Sequence, residues 1–373
     1  MNEGNERMKE RQLPKYVQLK IEITNWIETG KLQPDEQMPS ENEIAEQFGM
    51  SRQTVRQALG ELEQEGRLYR MQGKGTFVAK PREEQYAEVR TIGLVTTYIS
   101  DYIFPHIVRG AEAAVRARGY SLLLSSTDND KGRERESLAM LTSQPLSGLI
   151  IEPTKSAEGN PNLAYFLTLN NRRIPYVMIN ARYPEISSPS LVIDDEEGGF
   201  TAAEHLLQLG HRHIAGFFKT DDLQGVLRLK GFMRAHQEDG AELQPDFVVS
   251  YRTEEKVGRV VEIAQELLGR PEGKRPTALV CYNDELALRL LEVIRRAGLS
   301  VPQDVSIVGF DDSWLATATE VKLTTLAHPK LAMGEDAASM LFELIESGGD
   351  SVPQSRIYKP ELIIRESTQR IDG

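Results

Sequence analysis

A chain of 373 residues is long enough for two or three domains with sizeable cores. Its 40% hydrophobic share is ordinary for a globular protein, and a formal net charge of -12 argues against a protein that coats nucleic acid over its whole surface. The single cysteine, Cys281, excludes a disulfide framework and a thiolate metal cluster, and its apolar run 277–282 marks it as a buried, inert thiol. The amino-terminal stretch MNEGNERMKERQ has no apolar core, so no secretory signal is expected. No apolar run nears the roughly 18 residues of a membrane span, so a cytoplasmic protein is expected.

Pro14 to Thr29 reads as an opening helix, with Val17, Ile21 and Ile27 among its apolar positions. Ser40-x-x-Glu43 is a capping box that starts a second helix carrying Ile44, Ala45 and Phe48, and Gly49 ends it. Ser51 caps a third helix on which Val55, Leu59 and Leu62 make a buried stripe. Arg52 and Arg56, four residues apart, share another face, with Gln53 and Thr54 beside them. Leu68 to Val78 reads as a hairpin whose tip, Gln72-Gly73-Lys74-Gly75, is slender enough to enter a groove. Two short helices and a hairpin make a winged helix-turn-helix. Its charge is local: the stretch 51–80 carries a net +3 and the stretch 31–50 a net -4. The acidic remainder should suppress phosphate-driven, non-specific binding.

Arg52 and Arg56 can donate to guanine or to phosphate, and Gln53 to adenine or phosphate. Lys15 stands where a phosphate contact fits, at the start of the first helix. Gln72 and Gly73 suit the minor groove. Ser40 and Glu41 open a helix whose free amides can take a phosphate, although Ser40 also serves as a plain cap.

Residues 81–90 are short, charged and poor in core residues, and read as a linker. From Thr91 the pattern becomes strand-helix alternation. Apolar runs fall at Ile92–Thr97, Ser121–Ser125, Leu149–Glu152, Tyr176–Asn180, Ile214–Lys219, Ala278–Tyr282 and Ser306–Phe310. Helical patterns lie between them, as at Pro105–Ala117, Gly199–Leu209, Gln224–Glu238 and Asp284–Ala297, and Glu361–Arg365 reads as a final strand. Such alternation means an α/β fold with parallel sheets covered on both faces, and it persists too long for one small sheet. Ligands of these sheets bind beyond the carboxyl ends of the strands.

Those ends carry Glu152, Asn180, Asn283 and Asp311. Each residue type also ends strands merely to turn the chain or cap the next helix. Four in succession favour a convergent polar pocket. Tyr98, Tyr102, Phe104 and Tyr165 are candidates to cover an apolar ring face, or are plain core. Lys155 and Asp222 are further candidates in loops, Asp222 equally a surface turn residue. His205, His211 and His213 suggest a metal, but no further ligands complete a set, and none is expected. Gly73-Lys-Gly75 lacks the strand-to-helix context of a nucleotide loop. Asp194 to Glu197 reads as a helix start, with anions at the positive end of its dipole.

The phrases PSENEIAEQFGMSRQTVRQAL and QGKGTFV resemble the winged-helix domain of the gluconate-repressor (GntR) family, over about residues 13–80. That resemblance implies a dimeric transcription factor on a palindromic operator. From Thr91 onward, GLIIEPT, IPYVMINARY, AAEHLLQLGHRHIAGF, ALVCYNDELAL, VPQDVSIVGFDDS and LTTLAHP resemble the effector domain of lactose- and galactose-repressor relatives, built like periplasmic sugar-binding proteins. The family's sugar contacts then fall on Glu152, Asn180, Arg228, Asn283, Asp311 and His328. The fusion, with YISDYIF and IIEPTKS, resembles the arabinose-repressor family of Gram-positive bacteria. It implies a non-enzymatic repressor of arabinose-utilisation genes, released from DNA by L-arabinose and needing no cofactor.

The implied organisation is a DNA-reading domain at 1–80, a linker at 81–90, and a sugar-binding and dimerisation domain at 91–373. The latter's lobes are 91–194 with 329–350, and 195–328 with 351–373. Asp311, Glu152, Arg228 and Asn283 suit a ring of hydroxyls, because carboxylate, guanidinium and amide each bridge two hydroxyls. Another sugar as effector, or as corepressor, remains open. A sugar-metabolising enzyme is the distant alternative, since no phosphate loop, metal set or nucleophile-base-acid series appears. The linker, with Glu83 and Glu84 adjacent, departs from the helical hinge of the lactose-repressor relatives.

Overall fold

The computed structural model describes residues 14–79, 90–348 and 352–371, so the expected linker, Arg90 apart, lies outside the described residues. The chain divides into two compact units, 1–88 and 89–373.

The first unit holds helices α1 (Lys15–Glu28), α2 (Glu41–Phe48) and α3 (Arg52–Gln64), then strands β1 (Leu68–Met71) and β2 (Gly75–Val78). Ser40 and Glu43 form the expected capping box, and Gly49 ends α2 in the left-handed region at φ 59°. Ser51 Oγ accepts from the Thr54 amide at 3.1 Å and so starts α3. Val55, Leu59 and Leu62 are buried, with Ala58, against Leu19, Ile23 and Trp26 of α1. β1 and β2 pair antiparallel from Leu68↔Val78 to Met71↔Gly75, which leaves residues 72–74 as the tip. The Met38 amide donates to Thr76 O at 2.8 Å and ties the segment before α2 to the wing.

The second unit has two lobes. The first is built from β3 (Thr91–Thr96), α4 (Phe104–Ala117), β4 (Ser121–Ser126), α5 (Lys131–Thr142), β5 (Gly148–Ile151), α6 (Leu163–Asn171), β6 (Tyr176–Ile179) and β7 (Ser190–Ile193). The second takes α7 (Asp195–Gln208), β8 (Ile214–Lys219), α8 (Leu223–Asp239), β9 (Val248–Tyr251), α9 (Arg259–Leu268), β10 (Ala278–Cys281), α10 (Asp284–Arg296), β11 (Ser306–Asp311), α11 (Leu315–Ala318) and β12 (Thr324–Ala327). The chain then returns to the first lobe for α12 (Lys330–Glu346) and β13 (Arg356–Tyr358), and ends in the second with β14 (Leu362–Ile363). Strand orders are β13-β7-β6-β5-β3-β4 and β14-β12-β11-β10-β8-β9. All pairings are parallel except the antiparallel β12-β14 edge.

This arrangement corrects one expected boundary. Residues 351–373 do not all belong to the second lobe, because Arg356–Tyr358 pairs with Leu191–Ile193 in the first sheet. Three crossovers therefore join the lobes, after β7, after β12 and after β13. The strands are continuous apolar runs because helices cover both faces: Leu149, Ile150 and Ile151 are all fully buried. Each lobe also has one helix pair in backbone contact. A Cβ at Gly110 or Gly334 would strike the opposing backbone of α12 or α4, and one at Gly199 or Gly231 that of α8 or α7. Among the described residues no helix is long and apolar enough to cross a membrane.

Candidate functional site

On the first unit, α3 presents Arg52, Gln53 and Arg56 outward, with Lys15, Gln72 and Gly73 also exposed. Gly73 takes φ 75° at the wing tip, a conformation that glycine adopts without strain. Ser40 is spent on its cap, with its amide donating to Glu43 Oε2 at 2.7 Å. Thr54 sits half-buried, its hydroxyl 2.8 Å from Ser51 Oγ. Glu41 does more than open α2. Its carboxylate accepts from Arg56 Nη2 at 2.8 Å and Nε at 3.2 Å, and lies 3.6 Å from Arg70. The Arg56 hydrogen bond holds that carboxyl below its ordinary range. Glu41 therefore aims Arg56 across the two helices while leaving its side chain 68% exposed.

In the second unit the carboxyl ends of both sheets open onto one cavity of about 320 Å³. Tyr102, Glu152, Asn180, Asp222, Arg228, Asn283 and Asp311 all line it, as do Tyr98 and Phe104. Tyr165 instead packs under the first sheet. Strand ends deliver the polar set: Glu152 follows β5, Asn180 follows β6, Asn283 follows β10 and Asp311 ends β11. Asn180 at φ 62° and Asp311 at φ 93° hold left-handed conformations, a cost that tends to persist where a site needs it.

Glu152, Asp222, Arg228 and Asp311 are buried with partners. Glu152 accepts from the Thr97 amide at 2.7 Å, the Thr97 hydroxyl at 2.8 Å and Asn180 Nδ2 at 2.8 Å. Burial nonetheless pushes its carboxyl up from the ordinary value. Arg228, only 3% exposed, donates to Asp195 at 2.8 Å and to Tyr282 O at 2.6 Å. It also lies 3.6 Å from Asp311 and over the Phe310 ring. Burial opposes its charge, but Asp195 and Asp311 more than offset that and hold it protonated. Burial lifts Asp195 to about 6 and Asp311 upward as well. Asp284, behind them, is lifted by burial to about 7. A buried cation between two such carboxylates, Asp195 and Asp311, keeps its stability only while both remain.

Two sets of candidates have double duty. Asp222 Oδ1 caps α8 through the Gly225 amide at 2.8 Å, while Oδ2 accepts from Tyr282 at 2.8 Å and Lys219 at 2.8 Å. Asn283 Oδ1 caps α10 through the Leu286 amide at 3.0 Å. The Tyr102 hydroxyl crosses the cleft, donating to Phe310 O at 2.9 Å and accepting from the Asp284 amide at 3.1 Å.

Lys155 and His328 are not brought to the cavity. Lys155 Nζ pairs with Glu254 of the opposite lobe. His328, at the crossover after β12, donates from Nε2 to Asn180 Oδ1 at 3.0 Å, and burial drives its imidazole down to about 3. His205 and His211 face hydroxyls: His205 meets Thr368, and His211 meets Thr277 and Ser306. Asp194 caps α7 through the Glu197 amide at 3.0 Å, as expected of a helix start. Residues that the sequence reading passed over also line the cavity, among them Thr97, Asn129, Lys219, Lys256, Tyr282, Glu285 and Trp314. Thr97 and Lys219 close apolar runs as Glu152 does, so the same strand-end signal pointed to them. The lining holds five acids (Asp101, Glu152, Asp222, Glu285 and Asp311) against three bases (Lys219, Arg228 and Lys256), which suits a neutral ligand better than an anionic one.

Residues 15–78 match the family described as bacterial regulatory proteins, gntR family, and residues 203–368 match the periplasmic binding protein-like domain. The chain is 62% identical to the arabinose metabolism transcriptional repressor of Geobacillus stearothermophilus, over 98% of this chain and all of the relative. It is 46% identical to the protein of the same name from Halalkalibacterium halodurans, over 95% and 96% of the two chains. Among solved structures, a LacI family transcriptional regulator from Enterococcus faecium with bound ribose superposes with a TM-score of 0.65 at 27% identity. That match covers 76% of this chain and all of the other.

Proposed function

The chain belongs to the family of arabinose metabolism transcriptional repressors, and from that premise we propose that its effector is L-arabinose. It is a sugar-responsive repressor with a GntR-type reader and a sugar-binding effector domain. The finer reading is a cytoplasmic homodimer on a palindromic operator, released when the sugar occupies the cleft. The observation that carries it is the cavity between the lobes, where Glu152, Asn180, Arg228 and Asp311 converge as buried, forked hydrogen-bonding groups. Such groups reward a ligand that places hydroxyls opposite them and penalise one that leaves them unpaired. Tyr98, Tyr102 and Phe104 supply apolar cover for a ring. Neither a cofactor nor a metal is needed for this binding.

Arg52, Gln53 and Arg56 read base edges or phosphates from α3, with Lys15, Gln72 and Gly73 on the flanks. A modest coupling between the sugar and DNA sites, roughly 1–3 kcal/mol, suffices for release. A gel-shift titration tests the reading: arabinose should release operator DNA, ribose and galactose less so, and a sugar phosphate not at all. Asp311→Ala should keep operator binding and lose release. Operator affinity indifferent to arabinose, or a variant still released by it, would refute the assignment.

A further inference from the structure

The two lobes also touch through a second set of polar contacts, of which only Asn129 and Thr253 line the inner cavity. The first-lobe loop after β5 meets the turns after β8 and β9. Lys155 Nζ pairs with Glu254, and Arg252 pairs with Glu158. Between them the Leu223 amide donates to Ser156 Oγ at 2.9 Å, and the Ala157 amide to Asp221 O at 3.3 Å. Asn129 binds both sides, donating from Nδ2 to Thr253 Oγ1 at 2.8 Å and accepting from the Lys155 amide at 3.0 Å. That last bond also fixes Lys155 at φ 41°, a strained backbone held by its surroundings.

We propose that Lys155 is a positioning residue, the centre of a latch with Glu254 that holds the cleft shut around the effector, and that it does not touch the sugar. The proposal deepens the sugar-sensing reading and rests on it. The geometry explains why a lysine in the loop after β5 stands beside the site without entering it. Its ammonium is turned toward the opposite lobe, and its side chain is only 13% exposed although its partner is 61% exposed. A contact between lobes that exists only when they are closed stabilises the closed state alone. It therefore slows sugar release. The two ion pairs lie at the rim, so salt screens them.

The test uses the full chain and L-arabinose, with Lys155→Met, Glu254→Gln and the double variant. Rim ion pairs have modest worth, so each single change should weaken arabinose binding by about two- to fivefold. The loss should appear in the off-rate, and the double variant should be no weaker than either single one. Raising salt should weaken binding in the native chain more than in the variants, which keep only the Arg252–Glu158 pair. A large loss with Lys155→Met and none with Glu254→Gln would overturn the proposal, because it would place the ammonium on the sugar. Native affinity in both would overturn it too. Amide exchange at Ala157 and Leu223 without sugar gives a readout independent of the effector's identity. Glu254→Gln should speed it, and unchanged exchange would count against a latch even if arabinose were the wrong sugar.

Discussion

Arg56 and His328 show how a single side chain is set by a neighbour outside its own element. Arg56 stands on α3 but is aimed by Glu41 of α2. Arg56→Ala is expected to weaken operator binding by roughly tenfold, with sugar affinity unchanged, as a gel shift and calorimetry would show. If the contact is to phosphate, the salt dependence should fall by about one ion per half-site. His328 is neutral in the folded protein because burial lowers it to about 3 from an ordinary 6.5, with Lys330 and Arg228 adding to the effect. The unfolded chain takes up that proton first as pH falls, so the stability tied to the neutral ring is complete above about 6.5 and drains away toward 3. The native protein should therefore lose about 1 kcal/mol more than His328→Gln between pH 7.5 and 5.5 in urea unfolding. Equal losses would show that the ring is not held neutral.

The helix pair α7–α8 makes the case at the level of elements. Gly199 and Gly231 let the two backbones touch, and this contact brings Asp195 at the head of α7 against Arg228 on α8. Gly231→Ala would drive Cβ into the backbone of α7 at Glu196 and Phe200. It should cost about 1–3 kcal/mol of effector-domain stability and weaken sugar binding, because the Arg228 pair would be displaced. Calorimetric melting and titration would check both. Sequence periodicity made the helices and most core strands legible, since a buried strand needs an unbroken apolar run and a covering helix needs a stripe. The first crossover was legible as the helix start at Asp194. The partner of Arg228 was not, because Asp195 reads as an ordinary first-turn anion until the fold brings α8 over it. Lys155 and His328 show what sequence leaves open. Both sit close to the expected place, yet side-chain direction, which sequence does not give, turns them to Glu254 and Asn180.

The whole chain is two units with separate cores, so sugar should act on only one of them directly. At an arabinose concentration one hundred times its Kd, the effector unit should gain about 2.7 kcal/mol. In a thermal scan its transition should rise while that of the winged-helix unit stays in place. A shift of both together would reveal coupling that the separate cores do not suggest. The β13 strand was the one piece of architecture misplaced by sequence reading. Residues 356–358 are short and exposed on two of three positions, so nothing in their pattern distinguishes one sheet edge from the other. Their true place has a bearing on biosynthesis. The first lobe receives β13 and the second receives β14 from the same short stretch, 356–363. Although most of each lobe leaves the ribosome long before, both sheets wait with an unpaired edge for that stretch to emerge. A nascent chain stalled ahead of residue 356 would carry two such edges at once, each a template for pairing with another chain.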